Sequence, residues 1–249
     1  MRKVLYVNGC SHSAGSEISY PGSYREQNDL DQSFGGIVAK NYNLIHVNDA
    51  LPGASNKIIQ TSTIYSILNL LEKYDPSEIF VIIGWSGYDR AELIWDDQLY
   101  TVNAGTVNET NFDSYPKVIQ RKMECWVETV DTRNESQNDF ALTYFSVSNF
   151  LKLNKIDYFF FNAVTATALP EKNCLHPLSG NKVNQKLFSL IETDPNFFYP
   201  FDPEKTFTKY LIEKHSMFEE GRRYHFGKNA HKDWANIIIE HAGQNILKG

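Results

Sequence analysis

Short apolar runs alternate with longer amphipathic stretches along this chain, and this alternation limits the possible folds more than any other feature of the sequence. The predicted strand Glu78–Gly84 is apolar at every position from Ile79 to Ile83, which is typical of a strand buried on both faces of a parallel sheet. Three more runs are predicted as strands of the same kind, over Lys3–Val7, Asn43–Val47 and Asp157–Ala163.

Helical patterns lie between and after these runs, over Ser33–Tyr42, Ser55–Lys73, Phe140–Leu153 and His231–Leu247. In the second of them, Ile64, Leu68 and Leu71 are predicted to share the buried face. Strands that alternate with helices in this way favour an α/β fold. The sequence therefore predicts a three-layer α/β/α sandwich with a parallel central sheet.

Length and composition favour one domain that spans residues 1–249. Hydrophobic residues make up 42% of the sequence and charged residues 22%, which is enough for a sizeable core. Two polar stretches, 95–115 and 165–184, fit no regular element. We expect them to be loop insertions at the edge of the sheet where substrate specificity resides.

Charge, cysteine content and apolar run length exclude several classes of protein. A net charge of −6 argues against a nucleic-acid partner. The three cysteines have neither disulfide-framework nor metal-ligand spacing, so no metal and no cofactor are expected. No apolar run approaches the roughly 18 residues of a membrane span, and Met1–Val7 is too short for a signal peptide. We expect a cytoplasmic protein without a membrane partner. The sequence does not indicate its oligomeric state.

Unusual residues follow the predicted strands, at the edge where parallel sheets bind ligands. The first strand runs into Gly9-Cys10-Ser11, the second leads to Gly53, the third ends in Gly84-Trp85-Ser86-Gly87, and His225 precedes the last helix. A serine hydroxyl needs an adjacent base to become a nucleophile, and histidine suits that task near neutral pH. We predict Ser11 as nucleophile, His225 as base and an oxyanion hole formed by Ser11, Gly53 and Ser86.

In order and spacing these blocks resemble those of the SGNH (GDSL-like) hydrolase family. That family has Gly-Asp-Ser after its first strand, a Gly after its second and Gly-x-Asn-Asp after its third. Here Cys10 stands in place of Asp, and Ser86 in place of the Asn that donates to the oxyanion. His225 and His231 reproduce the six-residue spacing of the last block. The resemblance implies the flavodoxin-like SGNH hydrolase fold and a serine esterase or acylhydrolase activity.

The group that orients His225 is the least defined part of the predicted site. The family has Asp three residues before its histidine, whereas Arg222 occupies that position here. Glu220, or its neighbour Glu219, would substitute if the loop bends back. A backbone carbonyl would instead give a Ser–His dyad. Both alternatives stay open, with Glu220 as the possible third member of a triad.

Four residues near these blocks are candidates for substrate binding, namely His12, Asn56, Trp85 and Arg90. The ring of Trp85 would line a sugar-binding cleft, and the guanidinium of Arg90 would hold an anionic group. Core packing of Trp85 and a surface ion pair of Arg90 are the competing interpretations. A helix N-cap role for Ser11 and a nucleophilic Cys10 also stay open.

The sequence predicts a serine ester hydrolase or deacylase that works through an acyl-enzyme on a small-molecule or glycan ester. Its degenerate motifs and polar insertions resemble SGNH-like proteins of bacteriophage and bacterial polysaccharide loci. That resemblance implies an O-acylated carbohydrate substrate and, as an alternative location, the virion. Two other functions stay open: acyl transfer from the same site, and a glycan- or protein-binding module whose catalysis has decayed.

Overall fold

The computed structural model describes residues 1–88, 90–103, 106–108, 112–129, 135–165, 182–217 and 225–247. In these ranges the strands are β1 (Val4–Gly9), β2 (Ile45–Asn48), β3 (Ile79–Trp85), β4 (Arg90–Trp95), β5 (Gln98–Asn103), β6 (Asp157–Asn162) and β7 (Phe197–Phe198). The helices are α1 (Ser11–Ala14), α2 (Gln27–Gln32), α3 (Phe34–Tyr42), α4 (Asn56–Leu71), α5 (Lys117–Thr129), α6 (Glu135–Leu153), α7 (Lys182–Glu192), α8 (Phe207–Ile212) and α9 (Lys228–Leu247).

Five of the strands form one parallel sheet in the order β2-β1-β3-β6-β7. The four predicted strands are its first four members. In the register of the sheet, Tyr6 of β1 lies between Val47 of β2 and Val81 of β3. The carboxyl ends of β1, β2 and β3 therefore meet at one edge of the sheet.

Alternate side chains of the central strands enter two separate core layers. In β1, Leu5 and Val7 pack with α3, α8 and α9 on one face, whereas Tyr6 packs with α4, α6 and α7 on the other. Every residue of β3 is buried, which accounts for its continuous apolar sequence. This arrangement confirms the predicted three-layer α/β/α fold with a parallel sheet. Within the described ranges, every helix is too short or too polar to span a lipid bilayer.

An antiparallel hairpin of β4 and β5 follows the carboxyl end of β3. Its Val102 packs on Ile119 and Met123 of α5 in a small core of its own. The expectation that 95–115 lacks regular structure is therefore wrong for the hairpin strands. Most of the second predicted insertion, 165–184, lies outside the described residues, and α7 begins within it at Lys182.

Helix α4 has the predicted extent but buries a different face. Its buried side chains include Ile59, Thr63 and Ile67, while Leu68 is 51% exposed. Hydrogen bonds to the sheet account for this orientation of the helix. The buried Asn8 side chain of β1 donates to the Ile59 carbonyl at 3.2 Å and to the Thr63 hydroxyl at 2.9 Å. Leaving these buried groups without partners is costly, so they determine which face of the helix meets the sheet.

Candidate active site

Ser11 lies on a tight turn directly after the central strand β1. The turn requires glycine at position 9, because φ is +149° and an added Cβ would lie 2.2 Å from the Ser13 Oγ and 2.6 Å from the Gly84 carbonyl. Cys10 is the N-cap of α1, and Ser11 is its first residue, 8% exposed. The alternative that Ser11 is the N-cap is therefore wrong. Cys10 is fully buried in the core.

The ring of His225 makes a hydrogen bond with a buried carboxylate, that of Glu17. The Nδ1 of His225 lies 2.8 Å from Oε2 of Glu17, and the two side chains are 13% and 2% exposed. The other carboxylate oxygen accepts the backbone N–H of Gly22 at 3.0 Å. A carboxylate at Nδ1 fixes the tautomer with the proton on Nδ1, which leaves Nε2 free to accept a proton.

Glu17 takes the place for which Glu220 was the sequence candidate. Glu219, Glu220 and Arg222 lie outside the described residues. Glu17 enters the site because the chain turns back after α1, with Glu17 itself at a φ of +62°. The sequence holds one signal that would have found it, since Glu17 is the single charged residue between Lys3 and Arg25.

Two further histidines of this region, His12 and His231, are buried and neutral. The ring of His12 contacts that of His225 edge-on, with centroids 5.4 Å apart. Burial, followed by the nearby charges of His225, His231 and Arg90, lowers the pKa of His12 well below its ordinary value. Burial also lowers the pKa of His231 to about 3, and its Nδ1 accepts the Phe34 N–H at 3.3 Å. His231 therefore joins α9 to α3, while His12 forms the wall beneath the His225 ring.

Gly53 and Ser86 occupy the turns that follow β2 and β3. Gly53 has a φ of +77°, and an added Cβ would lie 3.1 Å from the Thr101 hydroxyl, so the hairpin lies against this turn. The Ser86 N–H donates to Oδ1 of Asn56 at 2.8 Å, and its carbonyl accepts from Nδ2 of Asn56 at 3.1 Å. The Ser86 hydroxyl is fully buried and has no hydrogen-bond partner among the described residues.

The structure corrects two of the four substrate-binding candidates. Trp85 is fully buried and packs edge-on against Phe140 and Phe160, so its ring cannot line a sugar-binding cleft. Both ends of the Asn56 amide are used on the backbone of Ser86, so Asn56 positions the turn after β3. These two side chains support the site from within the fold.

Arg90 differs from these two because it is only partly buried and lines a cavity. It begins β4 and lines a cavity of about 570 Å³ together with Asn56 and Tyr88. Its Nη1 is buried and finds no partner in the described part of the chain. The alternative of a surface ion pair therefore has no support there. No three His, Cys, Asp or Glu side chains within the described ranges are grouped as metal ligands would be.

Comparison with known families assigns the chain to one of them. Residues 16–182, well over half of the sequence, match the model of a "Family of unknown function (DUF6071)". The chain belongs to DUF6071. The matched residues of this DUF6071 member include Glu17, Gly53, Ser86 and Arg90, whereas Ser11 and His225 lie outside the match. A search of curated proteins found no match to the chain.

A solved esterase structure shares the α/β fold of this DUF6071 member. A carbohydrate esterase family 2 enzyme with a carbohydrate binding domain, from Corynascus thermopiles (Myceliophthora fergusii), superposes with a TM-score of 0.50. It is 11% identical, over 98% of this chain and 67% of that one. The psychrotrophic esterase EstA from Pseudoalteromonas sp. gives 0.48, at 11% identity over 97% of both chains. At these identities the likeness concerns the fold alone.

Proposed function

We propose that this DUF6071 protein is a serine ester hydrolase with Ser11 as nucleophile, His225 as general base and Glu17 as the carboxylate that orients it. The observation that carries the proposal is the buried contact of 2.8 Å between Nδ1 of His225 and Glu17. The ring of His225 also contacts that of His12, the residue after Ser11. A histidine oriented by a carboxylate next to a serine on a glycine turn is the arrangement that activates a hydroxyl.

The reaction has two balanced halves. Oγ of Ser11 attacks the ester carbonyl carbon while Nε2 of His225 takes the hydroxyl proton. The tetrahedral oxyanion collapses, the carbon–oxygen bond to the alcohol breaks, and His225 returns the proton to the departing alkoxide. Water then attacks the acyl carbon while Nε2 of His225 takes its proton. The bond from that carbon to Oγ of Ser11 breaks, His225 returns the proton to Oγ, and the carboxylic acid leaves.

Three donors would stabilise the oxyanion in this mechanism: the N–H groups of Ser11 and Gly53 and the hydroxyl of Ser86. The Ser86 hydroxyl is buried and without a partner in the described residues, which suits a donor held ready for charge that develops in the transition state. Its backbone is fixed by Asn56, so little reorganisation is needed. This group takes the place of the Asn side chain in the resemblance to SGNH hydrolases.

An O-acylated carbohydrate is the substrate class that we propose. The carbohydrate esterase of similar fold supports testing sugar acetates first. Hydrolysis of p-nitrophenyl acetate and of acetylated sugars should be lost on the order of 10⁴–10⁶-fold in Ser11→Ala and in His225→Ala. The double variant should lose little more, because the two residues act as one unit.

Matched controls come from the same turn. Ser13→Ala removes a hydroxyl two residues after Ser11, and Cys10→Ser tests a thiolate mechanism; both should keep most activity. A fluorophosphonate probe should label Ser11, with the site identified by mass spectrometry. A wild-type protein that shows only background hydrolysis and no label on Ser11 would overturn the proposal. Binding of glycan by that inactive protein would then identify it as a binding module.

A further inference from the structure

The guanidinium of Arg90 is a charge without a counterion in the described part of the chain. Arg90 is partly buried, at the first position of the hairpin that follows β3, and its Nη1 is shielded from solvent. A buried charge is normally paired with a carboxylate or with several carbonyls, because losing water without such partners costs several kcal/mol. An arginine left in this state is suited to a partner that arrives from solution.

The cavity next to Arg90 has the size of a small-molecule site. Its volume of about 570 Å³ falls within the range of roughly 300–1,000 Å³ that is typical of ligand pockets. Polar side chains of Gln60 and Tyr88 and the half-buried ring of Trp126 also line it. A sugar needs such a mixture of hydrogen-bonding groups and an aromatic surface.

The acidic residues of the cavity do not neutralise Arg90. Glu92 and Asp139 line the same space, but neither forms an ion pair with Arg90 in the described structure. The Glu92 carboxylate instead accepts a hydrogen bond from the Ser55 hydroxyl. Lys57, another lining residue, is exposed. The guanidinium is therefore the one buried cation that the described wall of this cavity presents to a ligand.

This cavity adjoins the proposed reaction centre. Asn56 lines it and also holds the backbone of Ser86, the proposed oxyanion donor. The charge of Arg90 acts on the His12 ring, which in turn contacts His225 at 5.4 Å between centroids. A ligand bound to Arg90 would therefore lie beside the turn that carries Ser86.

We propose that Arg90 binds an oxyanion on the substrate, so that the preferred ester is an acylated acidic sugar and not a neutral one. The planar guanidinium forms two parallel hydrogen bonds to a carboxylate or to a phosphate, and both belong to the ligand class that this geometry selects. The inference rests on the proposed function, since the anion is part of the ester that Ser11 attacks.

Three acetyl esters test the inference: those of methyl glucoside, methyl glucuronide and methyl glucoside 6-phosphate. Wild-type kcat/KM should be at least about 10-fold higher for one or both anionic esters, and which one is preferred separates a sugar carboxylate from a sugar phosphate. Arg90→Gln should lower kcat/KM for the anionic ester about 10–100-fold by raising KM, because the charged hydrogen bonds from the guanidinium to the anion are lost. Arg90→Lys should restore part of the loss.

The neutral ester and a second cation are the controls. Arg90→Gln should lower kcat/KM for acetylated methyl glucoside at least about 10-fold less than for the anionic ester. Lys57→Gln should change kcat/KM for neither class of ester by more than about twofold. Equal losses on neutral and anionic esters, or no loss at all, would overturn the inference while leaving the hydrolase proposal standing.

A binding measurement separates this inference from the failure of the proposed function. If wild type hydrolyses none of the esters, the hydrolase proposal falls, and calorimetric binding of methyl glucuronide and glucose 6-phosphate decides the role of Arg90. Binding that Arg90→Gln abolishes would support the anion site. Absence of binding, or equal binding by both proteins, would overturn it.

Discussion

Two arginines at opposite edges of the central sheet have opposite surroundings. At the amino edge, Nη1 of Arg2 donates to the carbonyls of Ser77 and Ile79, both at 2.7 Å, and Nη2 pairs with the carboxylate of Asp157. At the carboxyl edge, Arg90 lines a cavity with its Nη1 buried and without a described partner.

The difference extends to the neighbours of each arginine. Beside Arg2, Lys3 pairs with Glu78 at 2.6 Å. On the side of Arg90, the Ser86 hydroxyl and Nδ1 of His12 are buried without partners among the described residues. Nε of Arg2 is also buried without a described partner, so the contrast lies in the terminal nitrogens of the two guanidinium groups. Those of Arg2 are satisfied within the fold, whereas Nη1 of Arg90 is left to bond with a ligand.

The largest effect that separates the two edges is expected from their carboxylates. Glu17→Gln should lower kcat for ester hydrolysis on the order of 10⁴-fold, because an amide no longer fixes the His225 tautomer or stabilises the imidazolium. Glu78→Gln, at the amino edge, is the matched control and should leave kcat unchanged. Steady-state kinetics on p-nitrophenyl acetate measure both variants. Full activity in Glu17→Gln would mean that the His225–Glu17 contact is structural only.

A smaller effect is expected from removing the unpaired hydroxyl of Ser86. Ser86→Ala should lower kcat about 10²-fold with little change in KM, since an oxyanion donor acts chiefly in the transition state. The free energy of unfolding should stay within about 0.5 kcal/mol of wild type, because no hydrogen bond is lost. Urea unfolding and kinetics on the same preparation test both statements. A loss of stability without a loss of kcat would place Ser86 among the structural residues.

The smallest effect is expected at the amino edge. Arg2→Leu should lower the free energy of unfolding by about 2 kcal/mol, mostly through the two lost bonds to carbonyls. The ion pair with Asp157 adds little because that carboxylate is 59% exposed and screened by water. Turnover should not change. Urea unfolding of Arg90→Leu provides the comparison, since loss of an unpaired charge should leave stability equal or higher. Equal destabilisation by both changes would remove the distinction between the edges.

Four strands of the parallel sheet were predictable as short apolar runs, but their order was not, because no local pattern shows which strands pair. Burial on both faces accounts for the clearest of these runs, β3. The two-residue β7, over Phe197–Phe198, is too short to produce a pattern. The buried face of α4 was predicted wrongly from its apolar periodicity. Hydrogen bonds from the Asn8 side chain determine which face of that helix meets the sheet.

The positions of Ser11, Gly53 and Ser86 at one edge were predictable for a topological reason. Parallel strands bring their carboxyl ends together whatever the loops contain. Glu17 was not predictable in the same way, because its approach to His225 depends on a single residue with a positive φ and on the fold of the loop after α1. The lack of a described partner for Nη1 of Arg90 was likewise not predictable, because it depends on the cavity around the residue and not on the local sequence.

The contact between Glu17 and His225 joins residues that are 208 positions apart in the chain. On a ribosome, where synthesis proceeds at about 5–20 residues per second, His225 is added roughly 10–40 s after Glu17. Throughout that interval the nascent polypeptide carries the serine and the carboxylate without the imidazole between them. The proposed nucleophile therefore stays inactive while the protein is being made, and it gains its base only when the segment leading into α9 has been translated and has packed beside α3.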